Sequence, residues 1–150
     1  METIEQKQYR ESVNKRLWRK IKPGQQYEGL IPNSLNIVHK FDKEEDYSNT
    51  FNTLEFMAQW TNKYTAQMSK IAPLLKGRTL KETCDNIYQF LYSHFQYALD
   101  GNVQDLHSPS SAWRNRQKGF DCKTYSILAG CILANLQIPY SFRNIVFSNL

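Results

Sequence analysis

Apolar side chains Leu54, Met57, Trp60, Tyr64, Met68 and Ile71 return at steps of three and four residues, which predicts an amphipathic helix over residues 51–71. Pro73 and Gly77 mark its end. Thr79-Leu80-Lys81-Glu82 has the spacing of a capping box, so a second helix is expected to start there and to bury Cys84, Ile87, Leu91 and Phe95. On that reading Cys84 is a small core residue and His94 lies on the helix surface. A third helix is expected from Asp121 to about Leu136, burying Tyr125, Leu128, Ala129, Ile132 and Leu136, with Gln137-Ile138-Pro139 closing it. The alternation over residues 140–147 then predicts a strand.

The remaining segments carry weaker patterns. Residues 2–20 predict one basic helix ended by Pro23-Gly24, an arm or appendage over 1–24 preceding a single domain over 25–150. Residues 25–50 read as irregular or short-strand structure around Leu35, Ile37 and Val38, followed by an acidic patch from Asp42 to Asp46. Residues 99–119 read as a polar loop with turn signals at Asp100-Gly101 and Ser108-Pro109-Ser110, and a short helix over 111–117 carrying Trp113 as its packed anchor.

Charge adds one feature. Residues 1–22 hold seven Lys or Arg against three Glu, so this segment carries +4 of the chain's formal +5. Such a face is either simply solvated or engages an anionic partner: nucleic acid, an acidic protein or a membrane surface. No apolar run is long enough to span a bilayer and no secretion signal is recognised, so a cytoplasmic protein or a particle component is expected. Three cysteines without a Cys-x-x-Cys pair fit a reducing compartment, and neither a metal-ligand spacing nor a glycine-rich phosphate loop is present, so no cofactor is expected.

The candidate chemistry sits at Lys118-Gly119-Phe120-Asp121-Cys122-Lys123-Thr124-Tyr125-Ser126, where a cysteine opens an apolar helix. The free N–H groups and positive dipole end of a first helical turn favour a thiolate and can hold an oxyanion. Asp121 is placed to cap that turn, and Gly119 permits a close approach of chain or substrate. Arg114, Arg116, Lys118 and Lys123 add a positive field expected to lower the thiol pKa. Gln104 offers a side-chain N–H for an oxyanion, and Trp113 either walls an acyl pocket or anchors its loop.

Residues 95–143 resemble the transglutaminase-like family of the papain-like cysteine superfamily. The resemblance lies in Tyr97, Gln104, Pro109, Trp113, the Gly119-Phe120-Asp121-Cys122 junction, Tyr125-Ser126, the helix that follows, and the exit Gln137-Ile138-Pro139-Tyr140 with Arg143. It implies an α+β, mainly helical N-terminal half of a papain-like fold, with the nucleophile opening a core helix and the first core strand after it. It further implies Cys122 as a nucleophile toward an amide or peptide carbonyl, a later histidine as base and an acid to orient it. Residues 123–150 contain no His, Asp or Glu, so the second half of that core is absent from this sequence. His107 is the alternative base, from a loop that would have to fold back over Cys122. The expected function is therefore cysteine-dependent acyl transfer or amide hydrolysis, incomplete in this chain. The rival expectation is a non-catalytic structural or interaction protein of a larger assembly such as a phage virion, since similar proteins occur in Bacteroidetes-type bacteria and their phages.

Overall fold

A computed structural model of the chain describes residues 1–33, 37–42 and 50–145. It is an α+β structure: helices surround one central helix, and among the described residues one two-stranded antiparallel sheet lies beside them. In chain order the elements are α1 (Ile4–Leu17), β1 (Val38–Asp42), α2 (Thr50–Tyr64), α3 (Ala72–Leu75), α4 (Leu80–His94), β2 (Val103–His107), α5 (Pro109–Arg114) and α6 (Cys122–Asn135). Short 3-10 turns occupy Gln25–Tyr27 and Thr65–Met68.

Helix α6 is the centre of the fold and touches α2, α3, α4, α5 and β2. Ile127, Leu128, Cys131 and Ile132 are fully enclosed, together with Met68, Ile71, Phe95 and Leu106. The buried face differs in phase from the sequence expectation. Thr124 and Gly130 are inside, whereas Tyr125, Ala129 and Leu136 are only half-buried. Gly130 explains part of this shift, since an added Cβ would stand 3.0 Å from Tyr140 and 3.1 Å from Thr61. The chain after α6 therefore folds back across the helix. Residues 140–145 form no strand there, and 146–147 lie outside the described residues.

Thr79 caps α4 as expected, its hydroxyl accepting from the Glu82 N–H at 3.1 Å. The face this helix buries is Thr83, Ile87, Phe90, Leu91 and His94. Cys84 is exposed, and His94 is buried, both contrary to the periodicity reading. Long-range partners make the difference. The Thr83 hydroxyl accepts from the Gly77 N–H at 2.9 Å, and His94 Nδ1 lies 3.3 Å from the Lys22 carbonyl. Burial holds the His94 pKa below its ordinary value, so the neutral ring packs with Tyr27, Phe90 and Trp113.

The N-terminal segment is fastened to the body. Thr3 and Gln6 form a reciprocal capping box on α1. Asn14 exchanges two hydrogen bonds with the Leu99 backbone, and the Lys22 N–H donates to the Ser93 carbonyl at 2.7 Å. Arg19 donates to the Tyr92 and Phe95 carbonyls and to the Tyr125 hydroxyl.

Part of the segment read as loop is a strand. β2 pairs with β1 from Val38 opposite His107 to Asp42 opposite Val103, with Lys40 and Asp105 forming an ion pair across the ladder at 3.2 Å. Leu35 lies outside the described residues, as do Lys43, Glu44, Glu45 and Asp46 of the acidic patch. No helix among the described residues is long and apolar enough to cross a membrane.

Candidate active site at Cys122

Three backbone hydrogen bonds fix the entry to α6. The Gln96 N–H donates to the Arg116 carbonyl, Phe120 N–H to Gln96, and Ala98 N–H to Phe120, which lays residues 96–98 beside 119–121 in a short parallel bridge. Gly119 allows this closeness. Its φ of +98° lies in the region that favours glycine, and a Cβ would stand 2.7 Å from that of Ala98. Asp121 then caps the helix, accepting from the Lys123 N–H at 3.0 Å.

Cys122 follows as the first helical residue and is exposed. Its backbone N–H, at the start of the helix, favours the thiolate. The thiol pKa is nevertheless raised above its ordinary value. Desolvation by the surrounding atoms is the main cause, Asp121 and Asp100 add to it, and Lys123 opposes it. This corrects the expectation of a lowered pKa. Arg114 is turned to the Asn33 carbonyl, and Arg116 stacks on Trp113 while donating to the Pro23 carbonyl. Only Lys123 of the four cations acts on the sulfur, and it is shared with two carboxylates.

Lys123 is the hub of a buried polar cluster. Its Nζ contacts Asp121 Oδ2 and Gln104 Oε1, and stands 3.5 Å from Asp100 Oδ2. Burial and the Asp121 charge push the Asp100 carboxyl up to about 6. Gln104 was expected to serve an oxyanion, but its oxygen is held by Lys123 and its amide nitrogen donates to the Gly101 carbonyl. Asp121 is a cap and counter-ion. Trp113 is the loop anchor, packed against Tyr27, Phe90 and Phe95 inside the core.

His107 does not fold back over the thiol. Being on β2, it places Nδ1 2.9 Å from Ser111 Oγ and its ring against Phe120, centroids 4.6 Å apart. Burial lowers its pKa to about 4. A depressed histidine contributes stability that is complete above its unfolded value of about 6.5 and is lost as pH falls through 4. His107→Asn is therefore expected to flatten the loss of stability between about pH 6 and 4 in urea unfolding. An unchanged acid limb would contradict this environment. His39 packs against Phe41, Phe56 and Trp60, and His94 is buried beside Trp113. Among the described residues no histidine hydrogen-bonds Cys122.

No family model, curated protein or solved structure matches this chain. No group of three or more His, Cys, Asp or Glu side chains suited to a metal ion occurs among the described residues.

The Tyr97 hydroxyl went unassigned in the sequence reading. It lies within electrostatic reach of the Cys122 sulfur, and its pKa is pushed up to about 12, chiefly by burial. It is a neutral donor at any physiological pH. The Tyr97 ring packs against that of Tyr125 at 5.8 Å. The signal available in the sequence was the pair Tyr97 and Tyr125 at the two sides of the site, which gains meaning only once the 96–98 bridge to 119–121 is known.

Proposed function

We propose that the chain is a cysteine-dependent acyl-transfer or amide-hydrolysing domain of papain-like, transglutaminase-like type, with Cys122 as the nucleophile. The observation that carries this reading is the thiol itself: exposed, at the first position of the central helix, where the first-turn N–H groups point out of the helix end. When the thiolate attacks a carbonyl carbon, a C–S bond forms and the carbonyl electron pair moves to oxygen. The oxyanion then develops at the start of the helix, where first-turn N–H groups can stabilise it. Collapse breaks the bond to the leaving amine, alcohol or thiol, which takes up a proton, and leaves a thioester that water or an amine resolves.

The raised thiol pKa defines what the domain lacks. A base must take the sulfur proton, and none of the three histidines in this chain is hydrogen-bonded to do so. The same observation favours the second reading, a non-catalytic interaction module that keeps the packing of such a fold.

Incubation of the whole chain with an activated acyl donor, p-nitrophenyl acetate, followed by peptide mapping, separates the two. Acylation at Cys122, abolished by Cys122→Ser and discharged faster when glycine ethyl ester is added, supports the enzyme. Acylation confined to Cys84, the other exposed thiol, supports the interaction module.

A further inference from the structure

Cys122, Tyr125, Ser126 and Ala129 stand at i, i+3, i+4 and i+7 of α6, one stripe along one face of the helix. Over residues 122–132 of the helix these four are at least partly accessible and the others are buried. Tyr125, Ser126 and Ala129 floor a hollow of about 650 Å³. Its walls are Tyr88, Leu91 and Tyr92 of α4, Tyr97, and Arg16 to Arg19 at the end of α1. The candidate nucleophile therefore lies one helical turn, about 5 Å of rise, beyond the hollow's floor.

The lining combines aromatic surface with positive charge. Trp18, Tyr88 and Tyr92 are 55%, 61% and 49% exposed, and the Tyr88 and Tyr92 rings stack at 5.8 Å. Large aromatic rings left this open, side by side, form the kind of exposed apolar patch that marks a binding surface. No carboxylate lines the hollow, while two guanidinium groups do. Arg19 is committed, lying over the Tyr92 ring at 4.2 Å and donating to Tyr92, Phe95 and Tyr125. Arg16 is exposed and has no ion-pair partner among the described residues.

We propose that this hollow is the substrate subsite of Cys122, and that it takes a peptide segment in which an aromatic or large apolar side chain is flanked by a carboxylate. The ring packs among Trp18, Tyr92 and Tyr125, the carboxylate pairs with Arg16, and the reacting carbonyl is delivered past Tyr97 to the sulfur. The inference rests on the nucleophile proposed above for its chemistry, but the binding it describes needs no reaction. Residues 16–19 thereby acquire a role as one wall of the site.

The test separates the two. Binding of Ac-Glu-Phe-NH2 and of Ac-Lys-Phe-NH2 to the full chain carrying Cys122→Ser is followed by tryptophan fluorescence and calorimetry, with Trp18→Ala and Arg16→Glu, both exposed positions, made in the same background. The expected result is saturable binding of the Glu peptide, at least tenfold weaker for the Lys peptide and at least tenfold weaker in each variant. Absence of saturable binding, equal binding of both peptides, or association only with phosphatidylserine vesicles overturns the subsite. The reactive arm uses the wild-type chain and Ac-Glu-Phe benzyl thioester against Ac-Glu-Gly benzyl thioester. Faster acylation of Cys122 by the Phe donor supports the proposal. Equal acylation by both donors overturns the subsite and leaves the nucleophile standing. Selective binding with no acylation keeps the subsite and removes the nucleophile.

Discussion

Lys123→Met is expected to destabilise the chain by about 3–5 kcal/mol at pH 8, the usual consequence of removing one partner from a buried ionic cluster. Lys123 is 9% exposed and holds Asp121, itself 7% exposed, together with Asp100 and Gln104. Without the ammonium, two neighbouring carboxylates face one another in a desolvated site. For a chain of this size the loss corresponds to a fall of roughly 10 °C in Tm. The effect should depend on pH with a definite sign. Asp100 titrates in the folded chain at about 6, above its ordinary value of 3.8, so its favourable contribution is complete below 3.8 and is lost as pH rises through 6. At pH 5 Asp100 is largely protonated, and Lys123→Met should cost markedly less than at pH 8. Adding Asp100→Asn to Lys123→Met should recover part of the loss at pH 8 and little at pH 5. Thermal melts of the three chains at both values check this. An equal loss at both would contradict the cluster as described. His107 runs with the opposite sign over about pH 4 to 6, so the unmodified chain can look flat there while each variant does not.

Gly119→Ala is the second large effect, about 2–4 kcal/mol, because backbone strain and overpacking act together at one position. At a φ of +98° a Cβ meets the Ala98 Cβ at 2.7 Å and the Ala98 nitrogen at 3.2 Å, and the backbone contact cannot swing aside. Relief requires opening the bridge between 96–98 and 119–121, which is the structure that positions Cys122. The variant should therefore lose stability in denaturant and, under folding conditions, show altered thiol reactivity at Cys122 but not at Cys84. The pair Gly119→Ala with Ala98→Gly should recover only part, since the φ strain and the Ala98 nitrogen remain. A loss below about 0.5 kcal/mol would mean that the bridge is not held this closely.

The elements easiest to read in the sequence were those fixed by local chemistry. Thr79 and Asp121 each announce a helix start because a short oxygen-bearing side chain three residues or fewer from a free N–H is all the cap requires. Trp113 as an anchor follows from a large ring amid a polar segment. β2 was missed because Val103-Gln104-Asp105-Leu106-His107 carries just two aliphatic residues. Its polar ones are accounted for by Lys40, Lys123 and Ser111, partners that no window of sequence displays. The phase of α4 failed for the same reason. Thr83 and His94 can be buried since Gly77 and Lys22 satisfy them, and Cys84 is left outside.

The site was legible in its position and misread in its electrostatics. The helix start predicts a stabilised thiolate, and the Cys122 backbone N–H does act in that direction. Desolvation reverses the balance, Asp121 adds to it, and Asp100 contributes least. Asp100 comes from irregular chain 22 positions earlier, in the segment that precedes β2. The basic run 114–118 was equally visible and does not reach the thiol, since Arg114 and Arg116 are spent on backbone carbonyls of residues 23 and 33.

The central claim, that Cys122 is built to attack a carbonyl, is tested most directly by comparing two reactions at the same sulfur. Alkylation by iodoacetamide passes through no oxyanion and reports the thiolate's fraction, nucleophilicity and access, whereas acylation by p-nitrophenyl acetate also draws on N–H groups at the helix start. Rates are read at Cys122 and at the exposed Cys84 in one sample by quantitative peptide mapping at pH 7.5. The account predicts that Cys122 is alkylated more slowly than Cys84, as its raised pKa requires, and yet is acylated at least tenfold faster relative to its own alkylation than Cys84 is. An acylation-to-alkylation ratio equal at the two cysteines would contradict it, and would leave Cys122 as an exposed thiol at a helix start with no chemistry of its own.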